Sequence, residues 1–546
     1  MTTYPFGILP GIEYSRAPAI PVHILISSTD SNKLPAEFPL REWNDQSVRY
    51  LHYWQWFRGD YLMELRGKTP AGENVVKFPL GINPVRNFSR KHAAILLGEE
   101  TFDSPQPLVK IIATPKLPFS GDEPSEEDKK SAKTFENIVN EVWQSNGGRT
   151  LQTENAILTQ FLGGCVFGLK WDPDRDDLTI PIALKSYPVD FFLPVWSTKN
   201  YWNLLSAFIV YSIPVAVARE EYGYAGSAMF IIYCEHWTAE KYSIYINGEP
   251  ISVKGITYKD VPNPFGFVPF VYIPHIKEGS SYGSSIVEDI HGLVKEFNAR
   301  LADTGDAIRL SIKRNRYLTN AGRDIKSRTI GNNIEVVDLG NTLVQANEAP
   351  KVDVEDPPDM SSELVTFPEK ALWKQLLREA SLGDIAFGED EGSQRSALTL
   401  AFRMYPATSH ARVERTFWTE GLTQIAKMIW RMLVVKGKAL KILDKPLNID
   451  PDMLKKIQIG ADWKPMIPRD REQMVSEITL RVQSGTMSTR KAIEDFGDVR
   501  NVDDEIKQIE EDMKRGAAIS QPQNNSEKGA PTKVETPVAE AIVGDG

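Results

Sequence analysis

Residues 284–314 carry apolar side chains at Ile286, Ile290, Leu293, Phe297, Leu301, Ile308 and Ile312, at steps of three, four or their sums. That spacing is one face of an α-helix, because 3.6 residues per turn returns every third or fourth side chain to the same side. Taken as continuous, the helix is roughly 46 Å long. Gly292 and Gly305 weaken it and are candidate bends. A β-like insert follows, RYLTNAGRDIKSRTIGNNIEVVDLGNTLVQ, and Pro357-Pro358 then precede a second helical run, Met360–Leu382. Two long helices thus bracket a small β segment.

The entry to the first helix reads FVPFVYIPHIKEGSSYGSSIVEDIHGL, and Gly279 to Gly283 fit G-x-S-x-G. A hydrolase nucleophile elbow needs a buried strand running straight into its serine. Here the strand-like run ends near Ile273, and Pro274, His275, Lys277 and Glu278 intervene before Ser281. Only His291 and His410 follow as possible partners, and no HGGG-type oxyanion segment precedes. The structural reading is simpler. Gly279 and Gly283 permit a sharp turn, Ser284 or Ser285 caps the helix, and Glu288 and Asp289 complement its positive end. An α+β hydrolase using Ser281 is kept as the competing reading.

Upstream, residues 1–40 look like an extended arm. Helices are predicted over Trp43–Arg58, Pro84–Leu97, Ser131–Trp143 and Gln152–Leu162, with an acidic surface loop at 118–129. From Gly164 the pattern turns to strands: CVFGLKW and LTIPIAL as a hairpin, then DFFLPVW, SAFIVYSI, MFIIYCEHWT and KYSIYI. The last run ends in Asn247-Gly248, a strong hairpin signal. The apolar window Leu204–Ala218 is predicted as a buried strand, too short to span a bilayer. After the second long helix, 383–395 (GDIAFGEDEGSQR) reads as a flexible loop and Ser396–Val435 as a long helix. Residues 470–515 are helical and charged, and the composition from Gly516 onward looks disordered.

Other chemistry-bearing patterns fail on their spacing. Asp172, Asp174 and Asp176 alternate like a calcium loop, but the required glycine is Asp177 and the closing glutamate is Ala183. Gly67-Lys68-Thr69 ends like a phosphate loop, but Leu62 replaces its first glycine. No HExxH, CxxC or clustered His/Cys pattern exists, so no catalytic residue, metal or cofactor is expected. Cys165 and Cys234 lie in apolar strands and read as buried small hydrophobes. No signal peptide or membrane contact is expected. The formal charge of −10 argues against a DNA-coating protein but permits one past which DNA must slide.

The joint order of several motifs resembles the portal proteins of tailed bacteriophages, over roughly 40–515. FPLGINPVRNFSRKHAAILLGE resembles the family's early helix. ENAILTQFLGGCVFGLKWD resembles the entry to its wing, and YCEHWTAEKYSIYINGEPI its strand hairpin. VPFVYIPHIKEGSSYGSSIVEDIHGLVKEFNARLAD resembles the stretch where a Y-G-S turn opens the first stem helix. GTMSTRKAIEDFGDVRNVDDEIKQIEED resembles the C-terminal helical pair.

The resemblance implies an α+β portal fold. It has an N-terminal arm (1–40), a wing of helices then antiparallel β (41–281), stem helix 1 (282–314) and a β clip (315–357). Stem helix 2 (358–382), a tunnel loop (383–395), a wing return (396–465), a helical crown (466–515) and a disordered tail (516–546) follow. It implies a homo-oligomeric ring of about twelve subunits carrying on the order of −120 formal charges. Double-stranded DNA would pass through it, with the major capsid protein, the terminase large subunit and a head-completion or adaptor protein as partners. The location implied is the portal vertex of the virion, after assembly in the host cytoplasm.

In the loop, Asp384, Phe387, Glu389, Asp390 and Glu391 would line the tunnel, its acids repelling the duplex, while Gln394 and Arg395 make brief contacts; an ordinary solvated loop is the alternative. The basic cluster Arg309, Lys313, Arg314, Arg316, Arg323, Lys326 and Arg328 would touch DNA or acidic neighbours, or be simply solvated. Ile286, Ile290, Leu293, Phe297 and Leu301 would pack the stem. Another ring or scaffold protein of the virion is the remaining alternative.

Overall fold

The computed structural model describes residues 33–60, 81–98, 107–116, 124–199, 203–226, 230–253, 256–312, 366–387, 401–437, 449–466, 471–496 and 502–519, with strand segments at 67–68, 74–75, 316–319, 337–338, 351–354, 441–442 and 445–446. The chain divides into two compact units, 1–468 and 469–546.

Four helices open the first unit. α1 (Leu40–Arg58) buries Trp43, Tyr50, Tyr53 and Trp56 on one side and ends at Gly59, whose φ of 87° closes the last turn. α2 (Pro84–Leu97) starts on a proline, where a missing N–H costs no helical bond. α3 (Glu126–Ser145) starts earlier than its apolar pattern. The Ser125 hydroxyl accepts the Asp128 N–H at 3.1 Å, and Glu126, Glu127 and Asp128 occupy the positive first turn. Residues 126–129, expected as loop, are therefore helix. α4 (Gly148–Leu162) ends at Gly163, φ 78°.

The predicted hairpin is β2 (Gly164–Trp171) against β3 (Ile182–Pro188), with Trp171 opposite Ile182. β8 (Phe270–Pro274) adds on the other edge of β2, with Ile273 opposite Cys165. Alternation along these strands sends side chains into two different cores. Val166, Tyr187, Phe270 and Tyr272 enter one, with Phe88 and Phe161. Cys165, Phe167, Leu184 and Ile273 enter the other, with Trp143 and Trp418. The small sheet is thus the wall between the cores.

A larger antiparallel sheet runs β7 (Lys241–Ile246), β6 (Phe230–Thr238), β5 (Leu204–Pro214), β4 (Phe192–Trp196), with Glu249–Pro250 and Val261–Pro262 both pairing β7. Asn247 (φ 50°) and Gly248 (φ 87°) make the tight turn that their pairing predicts. The window Leu204–Ala218 is not one strand. Pro214 has no N–H to donate to a ladder, so β5 stops there and α5 (Val215–Tyr222) begins. Leu34 and Phe38, at the end of the expected extended arm, cover the sheet beside Phe208 and Cys234. Both cysteines are buried and unbridged, and burial pushes the Cys165 thiol up to about 12.

α6 (Ile286–Ile312) follows the turn after β8 and runs through both Gly292 and Gly305. The expected β insert contains β9 (Arg316–Thr319), paired parallel with β10 (Val337–Asp338) and antiparallel with β11 (Lys351–Val354). Of the expected helix Met360–Leu382, residues 360–365 lie outside the described residues; the rest is a π-helical turn at Phe367–Trp373 continued by α7 (Lys374–Glu379), where helix stops. The long helix α8 (Tyr405–Lys436) buries Trp418, Leu422, Ile425, Ile429 and Leu433 in the second core. β12 (Ile457–Asp462) then pairs antiparallel with β1 (Lys110–Pro115), tying the end of this unit to the segment between α2 and α3.

The second unit holds α9 (Arg471–Gln483), α10 (Thr489–Phe496) and α11 (Val502–Ile519). Helix therefore continues through 516–519, which composition placed in a disordered tail; residues 520–546 lie outside the described residues. No helix among the described residues is long and apolar enough to cross a membrane.

Candidate functional site

The turn between β8 and α6 decides where the long helix points. β8 is wholly buried, and the His275 N–H donates to the Gly163 carbonyl at the end of α4. Gly279 takes φ 78°. The Gly283 N–H donates to the Tyr272 hydroxyl at 2.9 Å. Ser285 is the cap: its hydroxyl accepts the Val287 N–H (3.1 Å) and donates to the Phe161 carbonyl (2.6 Å). Its own N–H donates to Glu288 Oε2 at 3.3 Å, the return half of a capping box.

α1 clamps the same turn from outside. Arg49 pairs with Glu288 at 3.0 Å and donates to the Gly283 carbonyl. Tyr53 also bonds Glu288, and the Tyr282 hydroxyl donates to Glu42. Asp289, with Glu288, lies in the first turn of α6 as expected. Although the residue is exposed, partial desolvation together with Glu278, Glu288 and Glu379 raises its carboxyl to about 6.

Ser281 is half-buried in this clamp. The neighbouring imidazoles are engaged elsewhere. His275 bonds the Ser284 carbonyl and His410, and His291 lies over the Val287 and Glu288 carbonyls. The G-x-S-x-G spacing here serves the turn: glycines give its geometry and the serines around it give its hydrogen bonds.

Of the expected stem face, Ile286, Ile290 and Phe297 are buried, while Leu293 and Leu301 are half-buried. Val287, Val294 and Ala302 are also buried, because the stripe drifts around a 3.6-residue helix. The face packs inside the subunit, in the first core with Leu376 and Leu377 of α7. The Phe297 and Trp373 rings are 5.6 Å apart. α6 and the second helical run, which bracket the β insert in sequence, thus pack against each other. Asn298 pins α6 to Ile82, two residues before α2, accepting the Ile82 N–H at 2.7 Å and donating to its carbonyl at 3.0 Å. A polar residue beside the apolar stripe was the only signal for it.

Of the loop residues, Asp384 and Phe387 are described. They lie in a 3₁₀ turn, Asp384–Phe387, rather than a fully irregular loop. Asp384 is exposed. The Phe387 ring lies 5.7 Å from Phe88 and 6.1 Å from Trp373, so it anchors the start of the loop. Glu389, Asp390, Glu391, Gln394 and Arg395 lie outside the described residues. Of the basic cluster, Arg309 is in α6 and Arg316 opens β9 opposite Val354. Lys313, Arg314, Arg323, Lys326 and Arg328 lie outside the described residues.

Sequence reasoning found no cluster of histidines, yet three of the chain's seven converge here. His92 comes from α2, His275 from the end of β8, and His410 from α8, one turn before Glu414. The rings of His92 and His410 are 4.8 Å apart, and those of His275 and His410 are 5.0 Å apart. Glu414 is fully buried, and burial raises its carboxyl to about 8. Burial lowers His92 and His275 to about 3 and also lowers His410, since a charged imidazole is costly away from water.

A family model described as "Phage portal protein, SPP1 Gp6-like" matches residues 185–517, more than half of the chain. The match runs from β3 through the turn, α6, the β insert and α8 into the second unit. No curated protein matches the chain.

Proposed function

Because this chain belongs to the SPP1 Gp6-like family of phage portal proteins, we propose that it assembles into the ring-shaped channel through which genomic DNA is packaged and ejected. The family is structural rather than enzymatic. The observation that carries the reading is the Phe297–Trp373 contact. It joins the two helical runs that bracket the β insert in sequence. In this reading 41–281 is the wing, 282–314 and 358–382 are the stem, and 315–357 is the clip. Residues 383–395 line the tunnel, 396–465 return to the wing and 466–515 form the crown.

The chemistry suits a channel that must not hold its cargo. Lysines and arginines that neutralise phosphates release counterions and bind tightly. A net charge of −10 per subunit, with Asp384 exposed at the start of the loop, favours a duplex that stays mobile. The basic cluster near the end of α6 is assigned to contact with DNA or with acidic connector proteins. Partners in this reading are further copies of the chain, the major capsid protein, the terminase large subunit and a head-completion protein, at the capsid vertex.

Negative-stain imaging of the purified full-length protein tests the reading. Rings with a central hole wide enough for duplex DNA are expected, about twelve subunits around. Monomers and dimers alone, at every concentration and salt tried, would overturn it.

A further inference from the structure

The buried His–His–Glu cluster sits where α8 crosses the turn that launches α6. Ligand atoms of His275, His410 and Glu414 all lie within 4.8 Å of one another. His275 Nε2 and His410 Nε2 are 3.0 Å apart. Two nitrogens bound to one tetrahedral zinc at ~2.0 Å would be about 3.3 Å apart, a few tenths more. His275 Nδ1 faces the Ser284 carbonyl at 3.0 Å. That bond puts the ring proton on Nδ1 and leaves Nε2 as a lone pair aimed at the cluster. An imidazole that donates its other nitrogen to a carbonyl is the usual arrangement of a metal-ligating histidine.

Glu414 supplies the independent observation. Oε1 accepts from Gln160 Nε2 at 2.7 Å, but Oε2 is buried with no hydrogen-bond partner. Trp418 lowers the carboxyl's pKa from nearby, yet its indole N–H makes no well-formed bond to it. A buried carboxylate oxygen is costly unless a cation or donor meets it. His92 flanks His410 and is held from behind, its Nε2 at 2.7 Å from the Ala380 carbonyl at the end of α7. It stands outside the three-residue ligand set.

We propose that His275, His410 and Glu414 bind a divalent first-row transition metal of the zinc class, with water in the remaining position. Two imidazoles and one carboxylate form a nitrogen-and-oxygen set suited to zinc, cobalt or nickel rather than to calcium or magnesium. The ion would join α8 to the base of α6, fixing the direction of the long helix. The inference rests on the cluster alone and stands whether or not the protein forms a DNA channel.

The test uses tag-free full-length protein, stripped with chelator and titrated with Co²⁺ as a spectroscopic probe. One Co²⁺ per subunit is expected, with visible d–d bands that Zn²⁺ abolishes, and a thermal midpoint that Zn²⁺ raises. Glu414→Gln keeps the size of the side chain and removes the anionic ligand. It should lose the bands and weaken binding at least about tenfold. His236→Gln, outside the cluster, should behave as wild type. Should His410→Gln fail to fold, Glu414→Gln carries the comparison alone. Wild-type protein without d–d bands, or bands and midpoint shift equal in wild type and Glu414→Gln, would overturn the proposal.

Discussion

A Cβ at Gly283 would lie 2.1 Å from the carbonyl oxygen of Gly163. Two backbones meet there, one ending α4 and the other about to begin α6. The glycines therefore allow the helix to start against the wall between the cores. Neither oxygen nor chain can move far, because Gly163 O also accepts the His275 N–H. Gly283→Ala is expected to destabilise the protein by about 3 kcal/mol or more. The urea midpoint of the purified variant checks this.

The serines of the turn separate the structural reading from the hydrolytic one. Ser281→Ala should change stability by less than about 0.5 kcal/mol and leave assembly and packaging unaltered. Ser285→Ala removes the cap and the bond to Phe161, and should cost about 1–2 kcal/mol. An esterase activity in the wild type that Ser281→Ala abolished would restore the elbow.

Asp289 makes stability depend on pH. Its folded-state carboxyl is raised to about 6 from an ordinary 3.8. A raised acid is easiest to keep in the fold while protonated. Its favourable contribution is present below the unfolded value and is lost as pH rises from about 4 through 6. Asp289→Asn should therefore raise the thermal midpoint at pH 8 and leave it nearly unchanged at pH 4. Solvent screening keeps the gain below about 1 kcal/mol. A midpoint raised equally at both pH values would rule out the acidic cluster as the cause.

Packing of the long helix and assembly of the ring should respond to different substitutions. Ile290 is fully buried within the subunit, so Ile290→Ser should unfold it, at a cost of roughly 3 kcal/mol or more. Phe402 and Tyr405 are 70% and 58% exposed near the start of α8. Phe402→Ser with Tyr405→Ser should leave the circular dichroism and melting of the subunit unchanged while reducing the fraction in rings. Sedimentation velocity separates the two results, and unaltered rings would free this surface from a role between subunits.

Glu389, Asp390 and Glu391, all changed to lysine, would turn an acidic loop into a basic collar. Intact rings are expected, with tighter DNA binding, a steeper fall of affinity with salt and slower packaging. Wild-type packaging from normal rings would place the loop away from the DNA path.

The sequence by itself determined the elements whose signals are local. The stripe from Ile286 to Leu301 is a helix, Asn247-Gly248 is a hairpin, and CVFGLKW pairs with a strand that starts inside LTIPIAL, at Ile182, and runs on to Pro188, because each signal lies within a few residues along one chain segment. The order of those elements carried the family. The boundaries at Ser125 before Glu126 and at Pro214 before α5 are set by a cap and by a missing donor, and periodicity does not report boundaries. The tertiary structure alone decided what meets across long separations. It set Ile273 against Gly421 of α8, β12 against β1, Phe387 against Phe88, and His275 beside His410 and Glu414. Those meetings depend on strand register and on where whole elements cross. No spacing between residues 135 positions apart encodes the 3.0 Å between two imidazoles; only the packed cores on either side of the small sheet bring them there.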